Sequence, residues 1–157
     1  MKSMTDSPQR RPRLARALAV AALVFAIVAL PGPAYADPAG DAIVAVDLVN
    51  EIRAAYGRGP VTPDWELQIL ANQHANDMAA HGAIWHSGDV GSRLSWGWSA
   101  WGENVGYGPS VGWLHDAFLL SPSHAANVLN WSYNYVGVGV AYGQDGTVYV
   151  AQVFGTW

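Results

Sequence analysis

The chain has 157 residues, no cysteine, 51% hydrophobic residues and a formal net charge of −4 at neutral pH. That length suits one domain, and the absence of cysteine excludes disulfide scaffolds, thiol chemistry and cysteine-ligated zinc. The apolar share is too high for a disordered chain.

The charge is unevenly placed. Met1–Arg16 carries one Lys and four Arg against one Asp, and Leu14–Leu30 is mostly Ala, Val and Leu. Pro31-Gly32-Pro33 and Ala34-Tyr35-Ala36 follow. A basic head, an apolar run and a small-x-small site predict a secretory signal peptide cleaved after Ala36, leaving residues 37–157 as one domain. The apolar run approaches spanning length, but the cleavage pattern argues against a retained anchor, so no transmembrane segment is expected after cleavage. Those 121 residues keep three arginines against eleven carboxylates, a net charge near −8. Nucleic acid and anionic membrane surfaces are poor partners for such a chain. A small, acidic, secreted monomer is expected.

From Asp41 the apolar positions Val44, Leu48 and Ile52 recur at helical spacing, which predicts a helix over Asp41–Tyr56, closed by Gly57 and Gly59-Pro60. Pro63-Asp64 opens a second helix, Asp64–His81. Leu67, Leu70, Ala71, His74, Ala75 and Met78 share one of its faces, and Gly82 stops it. Residues 83–110 mix glycines with Trp85, Trp96, Trp98 and Trp101 and show no helical period. Trp96 and Trp98 fit a strand or an extended loop, and Glu103-Asn104-Val105 reads as a short strand. Val111–Leu120 is a third helix with Val111, Leu114 and Phe118 inward. Ser121 is placed to cap a fourth, starting at Pro122, carrying His124 in its first turn and ending near Asn130. Tyr135–Tyr142 and Thr147–Phe154, joined by Gly143–Gly146, predict an antiparallel hairpin. Gly137 and Gly139, opposite the valines, imply close packing on that face. This order predicts an α/β (α+β) fold with one sheet sandwiched by helices.

The polar candidates for a site are His86, Glu103 and His124, with Asn104, His115, Asp116 and Ser123 as outer members. Two His and one Glu make a plausible divalent-ion set, although no short-spaced zinc motif is present. His124 has the best physical case, since a helix N-terminus disfavours imidazolium and a neutral ring can ligate. His74 reads as a buried, satisfied histidine, His81 as a partner for the negative end of its helix, and the His115-Asp116 pair as solvated surface. No nucleophile elbow accompanies the serines. The tryptophans, Trp65, Trp113 and Trp131 above all, are read as core bulk rather than as a platform for stacking on sugars.

The segments together resemble the CAP superfamily (SCP-like; cysteine-rich secretory, antigen 5 and pathogenesis-related domain), in its compact cysteine-free bacterial branch. The matching pieces are Val49-Asn50-Glu51-Ile52-Arg53, the helix with Leu67, Ala71, His74, Ala75 and Met78, and His86-Ser87-Gly88. Gly102-Glu103-Asn104-Val105, Ser121-Pro122-Ser123-His124-Ala125-Ala126-Asn127 and the strands Val136–Val140 and Tyr149–Phe154 complete the set. The resemblance implies a three-layer α-β-α sandwich with a central, mostly antiparallel sheet. It also implies a cleft holding His86, Glu103 and His124, with Asn104 beside them, which in some relatives carries a divalent ion such as zinc. Two departures stand out. A further cavity glutamate of many relatives is missing from Phe118-Leu119-Leu120-Ser121, where Asp116 is the nearest acid, and Ala125 replaces a usual basic residue. Modest metal affinity is therefore expected, and an anionic partner there is disfavoured.

Members of the family are associated with sterol or lipid binding, with host or membrane partners and occasionally with proteolysis. The leading expectation is thus a secreted domain whose cleft binds a divalent ion or a small, peptidic or lipid ligand, with no established reaction. The alternatives are a metal-assisted hydrolase of peptide or cell-envelope material, using Glu103, His86 and His124, and a protein-interaction or structural module.

Overall fold

The computed structural model describes residues 36–157. The expected signal peptide lies outside the described residues except for Ala36.

Helix α1 spans Pro38–Ala55, starting three residues earlier than the apolar period suggests. Asp37 accepts from the Gly40 amide at 3.0 Å and Pro38 occupies the first turn, and these local signals outrank the apolar pattern at a helix start. Strand β1 is only Thr62–Pro63, because Asp64 leaves the sheet to cap α2 (Trp65–His81) through the amides of Glu66 and Leu67. Gly82, at φ +63°, ends α2 in the left-handed conformation expected of it. A short α3 (Val90–Arg93) precedes β2 (Ala100–Gly108). β2 is a nine-residue strand, where the sequence pattern had shown only three residues of it, and Trp96 and Trp98 precede it in the loop. Its glycines hid the alternation: a Cβ at Gly102 would meet Asn127 and Tyr133, and one at Gly106 would meet Phe118. Helices α4 (Val111–Leu120) and α5 (Pro122–Val128) and strands β3 (Tyr135–Tyr142) and β4 (Val148–Thr156) complete the order.

The four strands form one mixed sheet in the order β1-β3-β4-β2. β1 runs parallel to β3, while β3 with β4 and β4 with β2 are antiparallel. Val136, Val138, Val140, Val148, Val150 and Phe154 face α1, α4 and α5 in one core layer. Ala141, Tyr149, Ala151 and Val153 face α2 in the other. The result is an α+β fold with its sheet covered on both faces, as the element order implied.

The tryptophans do not fill this core. Seven of the eight are exposed, Trp96 at 99%, Trp131 at 80% and Trp65 at 73%. The core is built instead from Val, Ala and Leu, because α2 lies directly on the glycines of β3 and leaves no room for an indole.

The capping expectation at Ser121 also changes. Its hydroxyl makes no cap bond and lies 3.3 Å from the Ser123 hydroxyl, so Ser121→Ala should leave stability nearly unchanged. Ser110 caps α4 through the Trp113 amide at 3.2 Å, so Ser110→Ala should cost about 1 kcal/mol. Urea midpoints of the two variants measured side by side check both expectations.

Candidate functional site

Neighbouring residues on a strand project to opposite faces. On β2 this sends Glu103 toward α2 and Asn104 toward α5, and the two carry out different tasks.

Glu103 is 8% exposed, and its carboxylate is surrounded by donors. The Ser87 amide donates to Oε2 at 3.0 Å, the Ser87 hydroxyl donates to Oε1, and the His86 Nδ1–H donates to Oε2 at 2.8 Å. His74 Nε2 stands 3.9 Å from Oε1 but donates to the Trp85 carbonyl at 2.6 Å, so that nitrogen keeps its proton. The Trp85 ring meets both His74 and His81 edge-on, at centroid distances of 5.5 and 5.6 Å. The chain leaving α2 is thereby clamped beneath Glu103. The consequence falls on His86. Nδ1 is committed to the carboxylate, so Nε2 is the nitrogen open to a ligand when the ring is neutral, on a side chain that is 61% exposed.

Asn104 is fully buried, and its amide joins protein groups on all sides. Nδ2 donates to the His124 carbonyl at 3.2 Å and to Gln152 Oε1 at 3.1 Å, while Oδ1 accepts from Asn127 Nδ2 at 2.9 Å. Asn127 Nδ2 also donates to the Glu103 carbonyl at 3.1 Å. These amides fasten α5 to the outer edge of β2 and so place His124. Its ring lies against Phe118, 5.0 Å between centroids. Burial, and secondly the nearby His86, push its pKa below the usual histidine value. His124 is thus neutral at pH 7, as expected, though burial and a second imidazole are the cause.

The structure therefore bonds His86 to Glu103, brings His124 within electrostatic reach of His86, and commits Asn104 to the scaffold. Among the described residues, no three His, Cys, Asp or Glu side chains form a metal-ion cluster, so the three-ligand set of His86, Glu103 and His124 is not preassembled. Ser123 is exposed and bonds only near Ser121. Asp116 and His115 line a separate small cavity of about 270 Å3 with Leu48, Glu51, Ile52, Ala55 and Leu119. His115 is not solvated surface; it is 7% exposed, and its Nδ1 has no hydrogen-bond partner among the described residues. The pairing with Asp116 suggested solvent only because adjacency says nothing about which face of α4 meets α1. Sequence reasoning missed His74, Ser87, Asn127 and Gln152 as members of the network. All four lie inside the quoted motifs, but nothing local says that they meet: Gln152 reaches Asn104 and His74 approaches Glu103 only across the packed sheet.

Burial lowers the pKa of His115, as it does that of His124, and only partly offset in His115 by Asp116 and Glu51. A histidine held neutral by the fold contributes stability above its unfolded pKa, about 6.5, and that contribution is lost as pH falls through the lower folded value. Stability should therefore decline below about pH 6.5, and the decline should be shallower in His115→Leu. Urea unfolding at pH 7.5, 6.0 and 5.0 checks both statements.

A three-layer sandwich with a buried carboxylate orienting one histidine, and a second histidine carried by a helix fastened to the same strand, defines a secretory-type domain of the CAP class. The sequence profile of the cysteine-rich secretory protein family (CAP) matches residues 46–154, and the chain belongs to that family. No curated protein matches the chain. Among solved structures, an outer surface protein of Borrelia burgdorferi is similar, with a TM-score of 0.71 and 18% identity over 77% of this chain and 96% of that one. An SCP-domain extracellular protein of Bacillus anthracis matches with a TM-score of 0.66 and 24% identity, over 76% of this chain and 41% of that one. A cysteine-rich secretory protein of Staphylococcus aureus matches with a TM-score of 0.63 and 20% identity, over 77% of this chain and 40% of that one. This chain thus spans under half the length of the last two. At these identities the likeness is one of fold. No helix among the described residues is long and apolar enough to cross a membrane.

Proposed function

We propose that this chain is an exported CAP domain that holds an exchangeable divalent ion, zinc first, between His86 and His124. The observation that carries the reading is the bond from His86 Nδ1 to Glu103, which orients the ring and makes Nε2 the nitrogen available to an ion. His124 is neutral at pH 7 and supplies the second imidazole. Glu103, already accepting three hydrogen bonds, orients His86 rather than ligating the ion. A bound zinc would supply Lewis-acid polarisation of an oxygen-bearing ligand. Two ligands in place of three or four keep affinity on the order of micromolar or weaker. Export is supported by the basic-apolar leader ending in Ala34-Tyr35-Ala36 and by the extracellular and outer-surface descriptions of the similar proteins.

Calorimetry with zinc at pH 7.5 tests the reading. His86→Ala and His124→Ala should each abolish binding, and Glu103→Gln should weaken it about 10- to 100-fold through loss of the orienting carboxylate. Binding should also weaken as pH falls, because protons compete with the ion for the ring nitrogens. Zinc heat retained in the double histidine variant would overturn the assignment. Chelator-sensitive cleavage of casein or cell-wall peptides, lost in Glu103→Gln, would instead support a hydrolase.

A further inference from the structure

The described residues form a second concavity, a groove of about 800 Å3 at the opposite edge of the sheet from β2, between α1 and α2. One wall is apolar and consists of Ala42, Ile43 and Val46 of α1. The other is a row of carboxamides, Gln68, Asn72 and Asn76, each four residues after the last and so on one face of α2. Asp47 lines the groove and no Lys or Arg does. Val140 of β3 is on its floor.

The backbone of that floor is unusual. β1 covers β3 only at Tyr135 and Val136, so β3 is an edge strand from there on. Peptide groups along an edge point outward at every second residue. The Val136 carbonyl accepts from the Asp64 amide at 3.0 Å. At Val138 the Gln68 side chain takes the place of a strand: the Val138 N–H donates to Gln68 Oε1 at 3.1 Å and its carbonyl accepts from Gln68 Nε2 at 2.6 Å. Val140 is the next outward residue; β4 lies beside it at Val150 on the inner side, and on the outward side neither β1 nor a side chain among the described residues bonds to it. Val140 is 3% exposed, and an unpaired peptide group so deeply placed is costly.

We propose that this groove binds an extended peptide that adds to β3 as a strand, with apolar side chains against Ile43 and Val46 and a basic side chain facing Asp47. The chemistry selects the occupant. An acyl chain would cover the Val140 peptide groups without offering them a hydrogen bond. A peptide backbone offers donors and acceptors at the strand repeat, and the apolar wall gives its alternate side chains somewhere to bind. Asp47, on a domain with eleven carboxylates and three arginines, favours a cationic segment over an acidic one. Gln68 already holds Val138, so the open edge runs from Val140 to Tyr142, roughly 10 Å, room for about three paired residues. The inference is independent of the histidine site.

The test uses the full chain and acetylated hexapeptides that alternate Val, Ile, Leu or Phe with Thr and carry one lysine. Fluorescence anisotropy should show saturable binding, and amide shifts by NMR should centre on Val140–Tyr142. N-methylation of alternate amides in the tightest-binding peptide should weaken it about tenfold, since two backbone hydrogen bonds are lost. Asp47→Lys, at an exposed position, should weaken the lysine peptide about fivefold and favour its glutamate counterpart. Equal binding of the N-methylated peptide, shifts centred on His86 and His124, saturable palmitate uptake without peptide binding, or no peptide binding would each overturn the proposal.

Discussion

Arg53→Leu should destabilise the domain by about 4 kcal/mol, a large share of the roughly 5–15 kcal/mol that holds a domain folded. Arg53 is 1% exposed, and no carboxylate among the described residues pairs with it. Its guanidinium instead donates to four carbonyls: Gly59 at 2.7 Å, Val128 at 2.8 Å, Asn130 at 2.9 Å and Tyr133 at 2.8 Å. A leucine of similar volume leaves four acceptors without donors, the Val128 and Tyr133 bonds being buried and the Gly59 and Asn130 bonds part-buried, at about 1 kcal/mol each on average. Arg53→Lys should recover only a minor part, since one ammonium cannot span carbonyls that a planar fork reaches in several directions. Three of the four acceptors lie at or just beyond the end of α5, the helix that carries His124. Any folded fraction of the variant should therefore also lose zinc affinity. Urea unfolding together with zinc calorimetry on the same samples separates the two effects. An unchanged midpoint would show that water replaces the guanidinium. In a family described as cysteine-rich, this cysteine-free chain uses one buried cation to join α1 to the loop after α5.

Gly139→Ala should be nearly as damaging, at about 3 kcal/mol. A methyl group on Gly139 would overlap the carbonyl of Ala71, and one on Gly137 would overlap the backbone of Leu67. The obstacle in both cases is the backbone of α2, so no side-chain rotamer can relieve it. α2 would have to lift from the sheet, opening the layer formed by Leu67, Ala71, Ala75 and Met78 and moving His74 away from Glu103. Gly57→Ala is the contrasting change: nothing surrounds a Cβ there, and only the positive φ of +65° opposes it, so about 1 kcal/mol is expected. Thermal melts of the three alanine variants should rank Gly139 and Gly137 well below Gly57.

By itself the sequence determined whatever depends on local pattern. The period of Leu67, Leu70, Ala71, His74, Ala75 and Met78 specifies α2, Gly82 specifies its end, and the bounds of α4 and β3 follow from the residues within them. The motif pieces around His86, Glu103 and His124 could be read in order along the chain, and with them the family. Tertiary structure decided the rest, because the deciding contacts join residues far apart in sequence. β2 is a full strand because β4 pairs along all of it, although its glycines erase the period that would reveal it. The tryptophans are outside because α2 rests on the glycines of β3, a distance that no composition count contains. Asp116 and His115 turn toward α1 rather than the site because of how α4 packs. Glu103 and Asn104 are adjacent in sequence, yet the pleat gives one a histidine to orient and the other a helix to hold. Residue type and spacing could nominate these side chains, but only the packed sheet could assign each one its partner, since hydrogen-bond geometry is set by distance and direction in space.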